Sequence, residues 1–412
     1  MIREGPESPS NYVIDDQNAR ASIPPLWSIP KEIALVEKRP YLDFYANQGA
    51  HLVSRDISNK QNFFQIRESL LCSLGITPGL LKGKAILEFG PGTGHNSLYI
   101  DTLSPEKYVL VEGDQKILDA CKKRLVGNGS AQVNHRFVLE LFEDFSTEER
   151  FDLVIAESCL PNQVDPERLF RRMLQFVKPG GLMMFTTVSP LSWLSEVVRR
   201  LVGLRSVNRG DPVSVKVEVL NNKLQEHFAY LPGMARSRSD WILDNLIQPY
   251  DGGKLFPVPA ALDALSGEFR VSGVLPDFIQ DWRWYKDSSI SVKDRHAEII
   301  SSYFSNACNF IDRRNIFIPH SRSLGVEAEQ IASAIWDEIR ALENGDEALY
   351  PLICDSLREL ADMFRSVSDL TADSICEAVE WIDQGMSDRP LQYFPSWWGR
   401  GQQHVCVYRL MV

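Results

Sequence analysis

What this chain of 412 residues lacks removes several classes of function at once. Cysteine is scarce: the seven present include no C-x-x-C pair, so neither a zinc ribbon nor a dithiol redox centre is indicated. Reduced thiols in a cytoplasmic protein are the simple expectation. Positive charge is in deficit, with 44 Lys plus Arg against 55 Asp plus Glu and a net charge of −11. That leaves no global electrostatic footprint for nucleic acid and argues against a DNA or RNA acceptor. No apolar run approaches the roughly eighteen residues of a membrane-spanning helix, and the first residues have no apolar leader core. Histidine is also scarce, at seven, which narrows the choice of a proton-accepting side chain. Internal repeats and low-complexity tracts are absent from the sequence as well.

What is present is concentrated in residues 85–94, Ala-Ile-Leu-Glu-Phe-Gly-Pro-Gly-Thr-Gly. A short apolar run ends in an acid, glycine then occupies every second position, and an amphipathic stretch continues to Leu103. This reads as a buried strand turning sharply into a helix. Glycine serves where backbone adopts positive φ or must approach a ligand closely, and free amides at a helix start attract anionic groups. The loop is expected to wrap a nucleotide-like cofactor. Tyr108–Val111 form a second apolar strand closed by Glu112, a carboxylate at the point where other nucleotide-binding βαβ units hold ribose hydroxyls. The dinucleotide fingerprint G-x-G-x-x-G is not met, because His95 follows Gly94 and the third glycine arrives one residue early.

The pattern Glu88-x-Gly90-x-Gly92-x-Gly94, with Glu112 after the next strand, resembles the cofactor loop of class I S-adenosylmethionine-dependent methyltransferases. Phe151–Glu157 looks like that family's fourth strand, Asp165–Phe176 like the following helix, and Val177–Met183 like its turn and fifth strand. Glu143-Asp144 sit where the family places an acidic loop after its third strand. The likeness covers about residues 82–190. It implies an α/β fold with a Rossmann-like seven-stranded sheet, S-adenosylmethionine as cofactor, and S-adenosylhomocysteine as product. By the same resemblance Glu88, Gly90, Pro91, Gly92, Gly94 and Asn96 hold the methionine end. Glu112 takes the ribose and Asp144 or its neighbour the adenine, with Gly113 and Glu157 also among the cofactor-binding residues.

Outside that core the chain divides by composition. Residues 1–30 are polar and proline-rich, an extended lead-in, and 31–83 read as an N-terminal helical segment with stretches at Lys31–Gln48 and Gln61–Leu74. The core with its elaborations spans 84–287, with a sixth strand at Phe269–Leu275. Residues 288–390 show helical periodicity throughout and predict an all-helical insertion serving as lid or partner surface. Residues 391–412 return to the sheet, with an apolar run at Gln403–Leu410 suited to a final strand, antiparallel in this family. Leu191–Arg205 is amphipathic and basic, a core-facing helix with a solvated basic face rather than a membrane-surface helix.

Methyl transfer asks little covalent help from protein: the site positions the nucleophile, excludes water, and offers a base to a hydroxyl. The candidates are Glu157, at the carboxyl edge where open α/β sheets bind ligands, His404 and Asp244, with His51 and His227 behind them. His95 is expected to pack at the helix start. The loop Ser158–Gln163 does not match the Asn/Asp-Pro-Pro-Tyr signature of amino-methylating nucleic-acid enzymes. Asn162, Trp282, Trp284, Trp397, Trp398 and Arg400 are candidate substrate contacts, since Trp with Arg suits planar stacking and polar capture. The alternative for the tryptophans is a seal between sheet and insertion. The expected activity is methylation of a small-molecule or glycan-type acceptor, O-methylation being favoured. The rival expectation is a non-catalytic binding or scaffold protein that uses the helical block for a partner.

Overall fold

Ala85–Phe89 (β1) is apolar along almost its whole length because both faces of a parallel strand are covered by helices, and four of its five residues are buried. The same holds for Lys107–Glu112 (β2) and Phe151–Ala156 (β4). With Asn134–Leu139 (β3), Val177–Thr187 (β5), Phe269–Leu275 (β6) and Gln403–Arg409 (β7), they form one seven-stranded sheet in the order β3-β2-β1-β4-β5-β7-β6. This computed structural model describes residue 44 and residues 55–128, 133–231, 233–234, 236–250, 252–286 and 289–411. The lead-in 1–30, His51 and all of the helical stretch 31–48 except Phe44 therefore lie outside the described residues.

Strands β1 to β5 run parallel, whereas β7 is antiparallel to both β5 and β6. The Rossmann-like sheet, the sixth strand at Phe269–Leu275 and the reversed last strand read from the sequence are all present. The reversal has a direct consequence for function. Because β7 runs backwards, its first residues stand beside the last residues of β5, with Gln403 opposite Thr187 and His404 opposite Thr186. The start of β7 thus joins the edge where β1, β2 and β4 end.

The helices beyond the sheet build a second apolar core. Leu194–Ser206, Val213–Lys223, Arg322–Glu343, Tyr350–Arg365 and Asp369–Asp383 contribute to it, so segments before and after β6 share one interior. Serine caps start several helices in this half of the chain, Ser291, Ser321 and Ser368 each accepting a backbone amide hydrogen, as helix N-termini require.

Of the basic face expected to be solvated on the Leu194–Ser206 helix, Arg205 is exposed, but Arg199 and Arg200 are buried. The Arg199 guanidinium lies 3.5 Å from the Trp398 ring centroid and donates to the carbonyls of Ser195, Phe394 and Trp397. Arg200 is paired with Glu343. The sequence signal was misleading because an arginine supplied with carbonyls, an aromatic face or a carboxylate can be buried. Among the described residues no helix is long and apolar enough to cross a membrane.

Candidate active site

The glycine loop leaves β1 with Gly90, Gly92 and Gly94 at φ 66°, 55° and 80°, left-handed values that side chains disfavour. Two of the three are also boxed in: a Cβ on Gly90 would meet Cys159 at 3.1 Å, and one on Gly94 would meet Cys121 at 3.0 Å. A Cβ on Gly92 would meet nothing within 4 Å. Gly92 therefore faces open space at the sheet edge, and its lack of a side chain keeps room for a ligand. Gly94 starts the helix His95–Thr102, whose second residue, Asn96, has a buried side-chain oxygen with no partner among the described residues.

Glu112 ends β2, buried, with Oε1 accepting the amide hydrogens of Gly113 at 2.8 Å and Asp114 at 3.3 Å. Those two bonds fix the carboxylate. Burial, outweighing the amide hydrogen bonds, pushes its carboxyl above the ordinary range. Glu88 is buried deeper, hydrogen-bonded by Tyr108, and burial pushes it up to about 7. Leu141 packs where a Cβ on Gly113 would stand, and Phe142 meets Phe89 edge-on beside Gly90. Asp144 is exposed, its carbonyl receiving Arg172. The orphaned Asn96 oxygen, the space at Gly92 and the oriented Glu112 carboxylate fit a nucleoside carrying an amino acid.

The second half of the site is centred on Glu157, immediately after β4. Both of its oxygens accept from Arg67, each at 2.7 Å, and the His404 Nε2 lies 3.8 Å from its Oε1. Burial by itself would raise this carboxyl. Arg67 and His404 outweigh burial and hold it well below the usual range, so Glu157 is an anion at every physiological pH. Arg67 comes from the helix Lys60–Ser73, a contributor that sequence reasoning missed. Its only signal was a lone arginine among the apolar positions of that helix.

The loop after Glu157 is held in an unusual conformation. Ser158 and Asn162 have φ of 61° and 69°, sparsely populated for residues other than glycine and concentrated at functional sites. Ser158 donates its amide hydrogen to Thr186 Oγ1 at 2.7 Å and its hydroxyl hydrogen to Gln402 Oε1 at 2.9 Å, tying the loop to β5 and to the approach of β7. The Asn162 side-chain oxygen is buried without a partner among the described residues. Asp244 is paired with Arg236, and it lies within electrostatic reach of Arg55, as does Glu157. His95 bonds Thr93 Oγ1 at 2.8 Å, and burial, followed by Arg124 and Arg55, lowers it to about 4. His227 is buried against Phe394, away from any such role.

The expected aromatic acceptor pocket is corrected by the structure. Trp397 and Trp398 are 0% and 1% exposed inside the helical core, while Trp282 and Trp284 are 90% and 60% exposed, so the two pairs share no cavity. Trp282 borders a cleft of about 350 Å³ that contains none of the glycine-loop residues. Arg400 is engaged with the carbonyls of Asn309, Asp312 and Asn315. The intervening Gly399 passes so close to Ser192 that a Cβ would lie 2.2 Å from its carbonyl oxygen. The segment Trp397–Gly401 is therefore the seal between sheet and helices.

Residues 58–231 match the methyltransferase domain family. Among curated proteins, the chain is similar to ubiquinone biosynthesis O-methyltransferase of Escherichia fergusonii, 30% identical over 138 residues, covering 32% of this chain and 55% of that one. It is also similar to malonyl-[acyl-carrier protein] O-methyltransferase 1 of Ilyobacter polytropus, 26% identical over 136 residues, covering 32% and 49%. The chain spans about half the length of the curated relatives it matches. Among solved structures, PKMT2 from Rickettsia typhi in complex with AdoHcy aligns at 15% identity and a TM-score of 0.37, covering 55% of this chain and 46% of that one.

Proposed function

We propose that the protein, whose residues 58–231 match the methyltransferase domain family, is a class I S-adenosylmethionine-dependent methyltransferase that transfers a methyl group to an oxygen of a small-molecule or glycan-type acceptor. The observation that carries this reading is the meeting of two half-sites on one sheet edge: the ligand-accommodating loop Gly90–Gly94 with Glu112, and the Arg67–Glu157–His404 constellation. S-adenosylmethionine supplies, when bound, a sulfonium-activated methyl group. Glu88, Gly90, Pro91, Gly92, Gly94 and Asn96 hold its amino-acid end in this reading, with Glu112 and Gly113 on the ribose and Asp144 beside the adenine.

The protein's own part is to orient and deprotonate. Arg67 fixes Glu157 through both oxygens, and Glu157 in turn orients His404, whose Nε2 lies 3.8 Å from it. His404 takes the proton that a hydroxyl acceptor releases, as a general base within reach of the transfer point. Asn162 offers its unpartnered oxygen to the acceptor. Asp244, paired with Arg236, acts on the pocket's charge rather than on the proton. The two relatives are both named O-methyltransferases, which supports oxygen as the acceptor atom. Calorimetry with S-adenosylhomocysteine is the first test: binding supports the enzyme, and its absence from folded protein favours a scaffold. His404→Gln should then leave that affinity intact while lowering turnover.

A further inference from the structure

Trp282 keeps 90% of its surface in water while standing in the wall of the cleft of about 350 Å³. A single exposed apolar side chain needs no explanation, but an indole at the mouth of a cleft, followed by the exposed rings of Trp284 and Tyr285, marks a binding surface,. Ile279 and the buried Ile299 add apolar wall. The rest of the lining is planar and polar. Arg283 donates from Nε and Nη2 to the two oxygens of Asp281 at 2.9 and 2.6 Å. Arg295 brings its Nη2 to 3.0 Å from the same carboxylate and donates from Nη1 to Glu298 at 2.8 Å. The charges of the wall therefore answer one another and hold their planes in fixed orientation.

An ionic ligand would have to break one of these pairs, whereas a neutral one can bond to the rim and leave them intact, since a carboxylate has about four lone-pair sites. A neutral molecule with a flat apolar face and a rim of hydroxyls is a pyranose: its C–H face lies on the indole and its hydroxyls meet the oriented carboxylates and guanidiniums. A purely aromatic ligand would match the ring and leave the polar rim unanswered. Chain connectivity fixes where the cleft stands. Strand β6 ends at Leu275, paired with His404, and Ile279 of the cleft wall follows four residues later, at most about 14 Å of extended chain away. We propose that the cleft is a neutral-sugar subsite, holding one pyranose unit of a glycan acceptor whose further units extend toward His404. This rests on the methyltransferase reading above and narrows its acceptor to a glycan.

The full-length protein is tested on an array of cello-, malto-, manno- and chito-oligosaccharides of one to six units, with uronate and sulfated glycans beside them. The expected result is retention of a neutral oligosaccharide, weakened at least about tenfold by Trp282→Ala. The indole is in water, so that variant keeps its fold, and its S-adenosylhomocysteine affinity should change by less than about twofold. The retained oligosaccharide should also accept methyl label from S-adenosylmethionine, with KM raised and kcat held in Trp282→Ala. Retention of no neutral glycan, retention confined to anionic glycans, or equal retention by Trp282→Ala would overturn the sugar subsite. A bound glycan that takes no label from protein that binds S-adenosylhomocysteine would overturn its role as acceptor. Separate calorimetry with S-adenosylhomocysteine tests the methyltransferase reading itself: failure to bind would remove that reading, while the array still decides the cleft.

Discussion

Arg67 and Glu157, ninety residues apart in sequence, face each other fork to fork with two hydrogen bonds of 2.7 Å. The pair joins the helix before the sheet to the end of β4 and sets the charge at the centre of the site. Removing one member of a buried pair strands the other. Glu157→Ala should therefore cost about 3–5 kcal/mol in denaturant unfolding, and Arg67→Met combined with Glu157→Leu should recover much of that stability without recovering turnover. The folded-state carboxyl is depressed, so its contribution is complete above the ordinary carboxylate range and fades as pH falls toward the folded value. A single Glu157→Ala variant as stable as wild type would show that the pair is not buried in solution.

Cofactor affinity should depend on Glu112 and Gly92 for different reasons. Charged hydrogen bonds from Glu112 to ribose hydroxyls are worth about 1.5–3 kcal/mol, so Glu112→Ala should weaken S-adenosylhomocysteine at least tenfold by calorimetry. Gly92→Val puts branched carbons into the open space beside the loop and forces a left-handed φ on valine,. Binding should fall below detection while the fold persists. Normal binding by either variant would move the ligand elsewhere.

The Glu88 carboxyl, lifted to about 7 by burial, should make binding pH-dependent. Its raised value means the folded protein holds a proton between about pH 4.5 and 7 that the unfolded chain releases,. Glu88 therefore subtracts stability as pH climbs through that window. The ionised form is the one that attracts the cofactor's ammonium group. S-adenosylhomocysteine affinity should rise from pH 6 toward pH 8 and level off, with the slope abolished in Glu88→Gln. A flat wild-type profile would contradict this.

Trp398 fills the helical core and carries Arg199 on its face. Trp398→Ala should cost about 3–5 kcal/mol through the cavity it leaves, seen as a lower unfolding midpoint, with cofactor affinity in the folded fraction unchanged. Selective loss of turnover at full stability would restore Trp398 to the acceptor pocket.

The sheet was legible because its evidence is local. Ala85–Phe89, Tyr108–Glu112 and Phe151–Ala156 are runs too apolar for any place but a covered parallel strand, and the spaced glycines mark the turn between β1 and its helix. The pairing of Glu157 with Arg67 was not legible, since nothing near either residue encodes a contact across ninety positions. Composition misled at Trp397-Trp398-Gly399-Arg400. Tryptophan beside arginine looks the same in sequence whether it captures a ring from solvent or closes a joint, and burial against Arg199 and Ser192 decides for the joint. Trp282 and Trp284 had the same composition and the opposite outcome, exposure.

The most direct test of the account is a crystal structure of the protein with S-adenosylhomocysteine. The expected complex has the ribose hydroxyls on Glu112, the amino-acid end over Gly90–Gly94 and Asn96, and the sulfur turned toward His404 and Glu157. A ligand bound away from Gly92, or a sulfur directed at a wall that leaves His404 and Glu157 covered by protein, would contradict it.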